Sequence, residues 1–336
     1  MSRRILFNMD YRQPYFDIII DEEINIDGKI MVKPFNEDFL HENKCKYVSS
    51  YGLLKSCDIK SDTPISSIGV LINYDFNKLQ DGCTIYICNS TIPFFSQLIN
   101  QIHCRFILVS GDSDTTIPEE VFGYDNDFQM FINNKNLIHW YSQNCVLSHH
   151  PKLSKIPIGL DYHTMSNKDS DWGEKISPGE QEQLLQTILH HSKPFWEREI
   201  KCYSNFHFSM GTKYAFDRKD AIHDIPKELV FYENKKINRK ETWENQSKYA
   251  FVISPHGNGV DCHRTWEALC LGCIVILKKS GISDLFDGLP VLVVDDWNDI
   301  DIDLLHLTLD RYKNTKFHYD KLTLKYWIEK IKNTGL

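Results

Sequence analysis

The sequence predicts an α/β protein built from parallel β-sheets that helices cover on both faces. Short β-rich runs alternate with polar helical stretches along most of the chain, which is the order of elements in such folds. Several runs are apolar at successive positions, as strands buried on both faces should be. Because loops at strand ends form the binding sites of α/β proteins, we expect functional side chains there.

Individual elements can be assigned from local patterns. The runs predicted as strands include SSIGVLINY, TIYICN, RFILVSG, KIPIG, IKCYSNFHFSM, ELVFYEN, YAFVISP, CIVILK and LPVLVV. The polar interval 163–183 separates two strand-rich halves and is the predicted linker. Within it, Ser177 and Glu180 are spaced as a capping box around Pro178, which predicts a helix through LLQTILHH. Apolar side chains in KLTLKYWIEKIKN predict an amphipathic C-terminal helix.

Composition excludes several classes of protein. The chain has 336 residues, enough for about two domains, and its 42% hydrophobic content is that of a globular protein. A net charge of −8 argues against a protein whose main function is to bind nucleic acid, because such binding depends on cationic side chains that release counterions from the phosphates. No apolar run is long enough to span a membrane, and charges interrupt the first residues too often for a signal peptide. The 10 cysteines are expected to be reduced and buried, including Cys270 and Cys273.

The segment YAFVISPHGNGVDCHRTWEALCLGCIVILKKS, residues 249–280, carries most of the chemistry. It predicts a strand, a glycine loop from Ser254 to Gly259, and a helix with Asp261 as its N-cap that stops at Gly272. A glycine loop that leads into a helix N-terminus presents backbone N–H groups and the positive end of the helix dipole. This arrangement suits an anion such as a phosphate.

Two charged side chains follow the glycine loop. Arg264 falls in the first helical turn, where its guanidinium could bind a diphosphate bidentately, and Glu267 lies on the same face, where it could accept ribose hydroxyls. The alternative is that the glycines only shape a turn and that this pair is a surface ion pair. HGNGVDC lacks the third glycine of a dinucleotide-binding loop, and no Gly-Lys-Ser/Thr follows it, which weakens dehydrogenase and P-loop interpretations.

SPHGNGVDCHRTWEALCLGCIVI resembles the nucleotide-sugar-binding signature of exostosin-like glycosyltransferases, family 47, which include soluble proteins of viruses and protists. Weaker likeness covers about residues 140–300. The resemblance implies a GT-B fold: two Rossmann-like domains face each other across a cleft, and a C-terminal helix packs back. The implied division is 1–170 for the acceptor-side domain, 171–310 for the nucleotide-sugar domain and 311–336 for the C-terminal helix.

The resemblance also implies roles for individual residues. Arg264 would bind the diphosphate and Glu267 the ribose, while Asp261 would cap or orient the loop. Arg218 resembles the second basic residue that many GT-B enzymes place against the diphosphate; the alternative is a solvated arginine paired with Asp217 or Asp220. The positions that would line the donor pocket are Ser254, Gly257, Asn258 and Gly259. The implied reaction is an inverting transfer, with a UDP-sugar as the expected donor, to a hydroxyl of a glycan or glycoconjugate, without a required metal or a tightly bound cofactor.

An inverting transfer needs a general base, which the N-terminal half should supply. In RFILVSGDSDTTIPEE, Asp112 and Asp114 follow a predicted strand, and we favour Asp114 as the base. The same Asp-Ser-Asp supports an alternative, a metal-dependent GT-A glycosyltransferase that holds a divalent ion against the diphosphate. Both carboxylates could instead be simple turn formers.

Two non-catalytic interpretations stay open. The chain could be a protein that binds nucleotide sugars or glycans without catalysis, or an interaction protein in which the loop is only a turn. No roles are assigned to His139, Trp140, Gln143, Asn144 and His163, which the weaker likeness places in the cleft. We expect a soluble, cytoplasmic enzyme of the kind that a virus could encode, with no nucleic-acid partner and no membrane span.

Overall fold

The computed structural model describes residues 24–26, 29–31, 40–66 and 79–334. The predicted strand SSIGVLINY and the first residues of the chain fall almost wholly outside these ranges. A short antiparallel pair near the N-terminus is formed by β1 (Ile24–Ile26) and β2 (Lys29–Met31). The rest of the described chain forms two parallel sheets with helices around them.

The first sheet belongs to the N-terminal half and has the order β3-β4-β5-β6, with every neighbouring pair parallel. Its strands are β3 (Cys83–Cys88), β4 (Phe106–Gly111), β5 (Leu137–Ser142) and β6 (Leu153–Lys155). The helices of this half are α1 (Ser50–Ser56), α2 (Ile92–Leu98), α3 (Asp125–Ile132) and α4 (His163–Asn167). Every residue of β3 and β4 is buried, as expected for strands covered on both faces.

The second sheet has the order β11-β10-β9-β7-β8 and is also parallel throughout. Its strands are β7 (Glu199–Ser204), β8 (Val230–Tyr232), β9 (Tyr249–Ile253), β10 (Ile274–Lys278) and β11 (Val291–Val294). The remaining helices are α5 (Pro178–His191), α6 (Ala215–Asp224), α7 (Arg239–Gln246), α8 (His263–Cys270), α9 (Ile302–Lys313) and α10 (Leu324–Lys332).

Most predicted strands are confirmed, but two predicted strands were too long, and β1, β2 and β5 were not predicted. NFHFSM is not strand, because a 3-10 turn at Phe206–Phe208 follows β7. In KIPIG only Lys155 belongs to a strand. Strand β5 was not predicted, since LIHWYS mixes a histidine and large aromatic residues and lacks a clear alternation. The parallel pairing in both sheets is confirmed.

The capping box at the start of α5 is confirmed. The side chain of Ser177 accepts a hydrogen bond from the backbone N–H of Glu180, and the Glu180 carboxylate accepts one from the N–H of Ser177. Pro178 occupies the first helical position, where its missing N–H costs nothing. Helix α5 is the last α-helix before strand β7, with which the second sheet begins.

The C-terminal helix α10 packs back on the N-terminal half. The backbone N–H of Leu324 donates to the carbonyl of Lys46 at 2.8 Å, and that of Val48 donates to Leu322 at 2.9 Å. Leu324, Trp327 and Ile331 are buried on one face of the helix. The α/β class, the two parallel sheets and the returning C-terminal helix of the predicted GT-B architecture are confirmed. The exact domain boundaries stay predictions.

Buried apolar side chains from both halves belong to one cluster, in which Val109 and Tyr141 of the first sheet join Trp266 and Val275 of the second half. Eight of the ten cysteines are buried; Cys104 and Cys262 are half-buried. Within the described ranges, every helix is too short or too polar to cross a bilayer.

We expect Trp327→Ala to lower the free energy of unfolding by about 3–5 kcal/mol, because it removes a large buried side chain and leaves a cavity. Trp327 is 1% exposed, and its indole N–H donates to the carbonyl of Lys321. Urea unfolding followed by circular dichroism measures the change. Lys325→Ala on the solvent face of the same helix, where the side chain is 82% exposed, serves as the control and should stay within about 0.5 kcal/mol. Equal effects of the two substitutions would contradict this packing.

Candidate active site

A cavity of about 480 Å³ lies at the carboxyl ends of the strands of the second sheet and reaches residues of the first half. Strands β7 and β9 are neighbours, β8 lies outside β7, and β10 lies outside β9. The gap between β7 and β9 is therefore the switch point of the sheet, where α/β proteins bind ligands. Helix α6 follows β7 and helix α8 follows β9, so their first turns face this point.

Two arginines from these helices line the cavity. Arg264, in the first turn of α8, donates from Nη1 to Ser254 Oγ and to the carbonyl of Pro255, both at 3.1 Å. Its guanidinium lies over the ring of Phe206, 5.7 Å from the ring centroid. Arg218, in α6, donates from Nε to the carbonyl of His256 at 2.9 Å and from Nη1 to the carbonyl of Ser209. Uncharged groups thus hold both guanidinium groups in place.

The charge of Arg218 is disfavoured by its surroundings in the cavity wall. Burial and the nearby charge of Arg264 lower the pKa of Arg218 to about 10. The alternative of a solvated arginine paired with Asp217 or Asp220 is wrong, because Arg218 is buried. The Asp217 carboxylate instead accepts hydrogen bonds from Trp297 Nε1 at 2.7 Å and from the N–H of His256 at 2.8 Å. An anion in the cavity would relieve this repulsion.

Close contacts with neighbouring side chains, and not the backbone conformation, explain why the loop has glycine at positions 257 and 259. Gly257 and Gly259 have no positive φ. A Cβ on Gly257 would lie 3.0 Å from Arg218 Nη2, and a Cβ on Gly259 would lie 2.9 Å from Asn144 Oδ1. Asn258 lines the cavity between them and accepts a hydrogen bond from the backbone N–H of Lys213 at 3.2 Å. The absence of side chains therefore lets Arg218 and Asn144 approach the loop.

Asp261 does not cap α8, so its assignment as the N-cap was wrong. Cys262 occupies the N-cap position and makes no side-chain cap. The buried Asp261 carboxylate instead accepts hydrogen bonds from the N–H of Ile158 at 2.8 Å and from Trp266 Nε1 at 2.9 Å. Burial raises its pKa to about 6. Asp261 thereby fixes the end of the glycine loop against both halves of the protein.

Glu267 lines the cavity one turn beyond Arg264, as the sequence spacing predicts. Its carboxylate is 14% exposed. Oε2 accepts a hydrogen bond from Trp243 Nε1 at 3.2 Å, and Oε1 lies 4.0 Å from Arg239 Nη2. These contacts orient the carboxylate and leave lone pairs for further hydroxyl donors, since a carboxylate accepts about four hydrogen bonds.

Beyond Glu267 the cavity is lined by Glu233 and Gln246, which the sequence did not single out. Gln246 is 2% exposed, and its Nε2 has no hydrogen-bond partner within the described residues. Oε1 of Glu233 accepts hydrogen bonds from Tyr203 Oη at 3.1 Å and from Asn245 Nδ2 at 2.7 Å. A buried amide without a partner at the wall of a cavity is a feature that a bound ligand can satisfy.

The two candidate aspartates after β4 are separated in the structure. Asp114 is exposed and lines the cavity. Asp112, which has φ 52°, directs its carboxylate to the hydroxyl of Tyr86 and is not among the lining residues. Burial raises the pKa of Asp112. Among the described residues, no group of three or more His, Cys, Asp or Glu side chains is arranged to hold a metal ion.

Ser254 lies behind Arg264 and not in the cavity wall; its hydroxyl bonds to Arg264 and to Thr265 Oγ1. The structure therefore brings Asp114, Arg218, Arg264 and Glu267 to one cavity. The other predicted site residues that line this cavity are Gly257, Asn258, Gly259 and Asp261.

A third arginine, Arg239, joins the two halves at the cavity wall and was not predicted. It is 5% exposed and donates to Asp161 Oδ2 at 3.0 Å and to Gln181 Oε1 at 2.8 Å. Burial would raise the pKa of Asp161, but the charges of His263 and Arg239 lower it overall. Arg239 and Asp161 are 78 positions apart in the sequence, so no local pattern could have indicated the pair.

Neither the protein-family models nor the curated protein sequences give a match to the chain. Similar solved structures include one described as an OtsA apo structure, at 11% identity and a TM-score of 0.41, covering 79% of this chain and 74% of that one. Another, described as trehalose-6-phosphate from E. coli bound with UDP-2-fluoro glucose, has 12% identity and a TM-score of 0.39, covering 89% and 86%.

A third similar structure is an alpha,alpha-trehalose-phosphate synthase (UDP-forming) from Burkholderia xenovorans in complex with glucose-6-phosphate. It has 10% identity and a TM-score of 0.32, covering 75% of this chain and 71% of that one.

We expect Gly259→Ala to lower the free energy of unfolding by about 1–3 kcal/mol, because the new methyl group would overlap a packed neighbour. Its Cβ would lie 2.9 Å from Asn144 Oδ1, which accepts the backbone N–H of Asp261. Gly123→Ala is the matched control, since no atom lies within 4 Å of the added Cβ. Urea unfolding midpoints measure both. A Gly259→Ala variant as stable as the control would show that the loop does not approach Asn144 this closely.

Proposed function

We propose that the protein is an inverting GT-B glycosyltransferase, similar to the exostosin-like family. It would transfer a sugar from a nucleoside diphosphate sugar, with UDP as the expected nucleotide, to a hydroxyl of a glycan or glycoconjugate. The observation that carries the proposal is that Arg218 and Arg264 both line the cavity at the switch point of the second sheet, with Glu267 one turn beyond Arg264.

The arginine pair suits a diphosphate. Each guanidinium can donate two parallel hydrogen bonds to phosphate oxygens, and the N-terminus of α8 adds a positive dipole end beside Arg264. Both side chains are held by neutral carbonyl and hydroxyl groups, so they stay positioned and keep their charge for the ligand. During transfer the same two charges would stabilise the departing nucleoside diphosphate.

The cavity beyond the arginines suits a nucleoside. Glu267 is oriented by Trp243 and would accept the hydroxyl hydrogens of the ribose. The N–H groups of Gln246 Nε2 have no protein partner in the described part of the chain and would donate to a carbonyl oxygen of the nucleobase. Gly257, Asn258 and Gly259 would form the wall along the diphosphate.

The acceptor would enter from the side of the first half, where Asp114 and Asp161 line the cavity. Asp114 is the residue that the sequence favours as a candidate base, and it lies where it could contact the acceptor. The proposal includes an inverting course, a glycan acceptor and a cytoplasmic location.

We expect Arg264→Ala to weaken UDP binding about 10- to 100-fold, because it removes charge-assisted hydrogen bonds to the diphosphate. Isothermal titration calorimetry with UDP measures the affinity, and circular dichroism verifies that the variant is folded. Arg105→Ala is the matched control, since this arginine is 63% exposed and pairs with Asp81 at the surface. An Arg264→Ala variant that binds UDP at wild-type strength would refute the proposal. A protein that binds UDP but releases none from any UDP-sugar would instead be a binding protein without catalysis.

We expect UDP release from the sugar nucleotide to continue in EDTA within about twofold of the untreated rate, because the arginines supply the positive charge that a metal would otherwise provide. The assay compares EDTA-treated enzyme with the same enzyme after addition of manganese. Loss of turnover in EDTA that manganese restores would favour the metal-dependent GT-A mechanism built on Asp112 and Asp114.

A further inference from the structure

We propose that His263 accepts the proton of the acceptor hydroxyl during transfer, a role that rests on the proposed function. His263 is the first residue of α8 and directly precedes Arg264, the diphosphate candidate. It lines the same cavity as Arg264, Asp114 and Asp161. The imidazole therefore lies where the arginine pair meets the acceptor side, which is where a proton must leave the attacking hydroxyl.

One hydrogen bond fixes the tautomer of His263. Nδ1 lies 2.7 Å from the carbonyl oxygen of Gly159. A carbonyl oxygen can only accept a hydrogen bond, so Nδ1 carries the hydrogen and the neutral ring has its free lone pair on Nε2. Gly159 belongs to the first half, which means that the contact between the halves also sets the orientation of the ring. A proton acceptor needs this kind of fixed orientation.

Charged groups of both signs surround His263. On its own helix, His263 lies at the positive N-terminal end of α8, and Arg264 follows it directly. Asp112 and Asp161 lie nearby in the first half, and Asp261 lies in the glycine loop; the charge of His263 acts to lower the pKa of each of these three carboxyls.

His163 and Arg239 complete the surroundings of His263. The His163 ring lies edge-on at 5.9 Å between ring centroids, and Arg239 binds Asp161 through its guanidinium. The carboxylates can therefore stabilise the imidazolium that forms once the proton has been transferred.

The step balances as a single displacement. The acceptor O–H bond breaks as its proton moves to Nε2 of His263, and the oxygen forms a bond to the anomeric carbon. The bond from that carbon to the β-phosphate oxygen breaks, and its electron pair leaves with the nucleoside diphosphate, which Arg218 and Arg264 stabilise. The imidazolium later releases its proton to solvent.

Asp114 is the competing candidate for this role. It is exposed in the loop after β4, whereas the His263 ring is half-buried and hydrogen-bonded to the backbone. On this comparison the histidine is better placed to take the proton, and Asp114 remains available to contact the acceptor.

The test compares His263→Asn with Asp114→Asn in the full-length protein. The asparagine amide can still donate to the Gly159 carbonyl but has no basic nitrogen in place of Nε2. We measure UDP release from the UDP-sugar that the wild type turns over, and UDP affinity by calorimetry. We expect His263→Asn to reduce kcat about 10²- to 10⁴-fold with UDP affinity within about twofold of wild type. Asp114→Asn should reduce kcat less than about tenfold.

The pH profile gives a second readout. The wild-type rate should fall towards acid pH, where Nε2 already holds a proton, and the residual rate of His263→Asn should lack this acid limb. A His263→Asn variant with more than about a third of the wild-type kcat, or one that loses UDP affinity in parallel with kcat, overturns the role of His263. The proposed function would still stand in either case. Wild-type protein that binds no UDP and releases none from any donor overturns the proposed function and this role with it.

Discussion

The geometry of the candidate site depends on the buried carboxylate of Asp261. It accepts the backbone N–H of Ile158 from the first half and the indole N–H of Trp266 from α8, while its own N–H donates to Asn144 Oδ1. These bonds offset the cost of burying the group, although its pKa still rises to about 6. They also set where α8 begins, and with it the directions of Arg264 and Glu267.

The charged side chains that line the cavity would be better satisfied by an anionic ligand than by the protein groups around them. Among the described residues, no carboxylate forms a salt bridge with Arg218 or Arg264, and burial together with the nearby charge of Arg264 lowers the pKa of Arg218 to about 10. Elsewhere in the cavity lining, Arg239 binds Asp161, and Glu267 Oε1 lies 4.0 Å from the same guanidinium. The positive charge of Arg239 is therefore matched by carboxylates, whereas Arg218 and Arg264 are held by uncharged groups.

Local sequence patterns predicted the parts of the site that a single strand, loop and helix supply. The Arg264 and Glu267 spacing and the glycine loop belong to one continuous segment, and so their arrangement follows from helix geometry. Asp261 was given the wrong role because an aspartate before a helix is a common cap, while its real partner Ile158 lies 103 positions away. The roles of Arg239, His263 and Gln246 depend on where distant segments of the chain meet in the fold. No periodicity in the sequence indicates such meetings.

The paired guanidinium groups also bear on how a catalytic cycle would end. A free nucleoside diphosphate carries more negative charge than the sugar nucleotide from which it derives, and so it should be held more firmly by Arg218 and Arg264. Under the proposed function, departure of this product would be the slow event, and accumulated product would inhibit the enzyme by competing with fresh donor. The feature that secures the leaving group during transfer would thus limit the speed of each turnover.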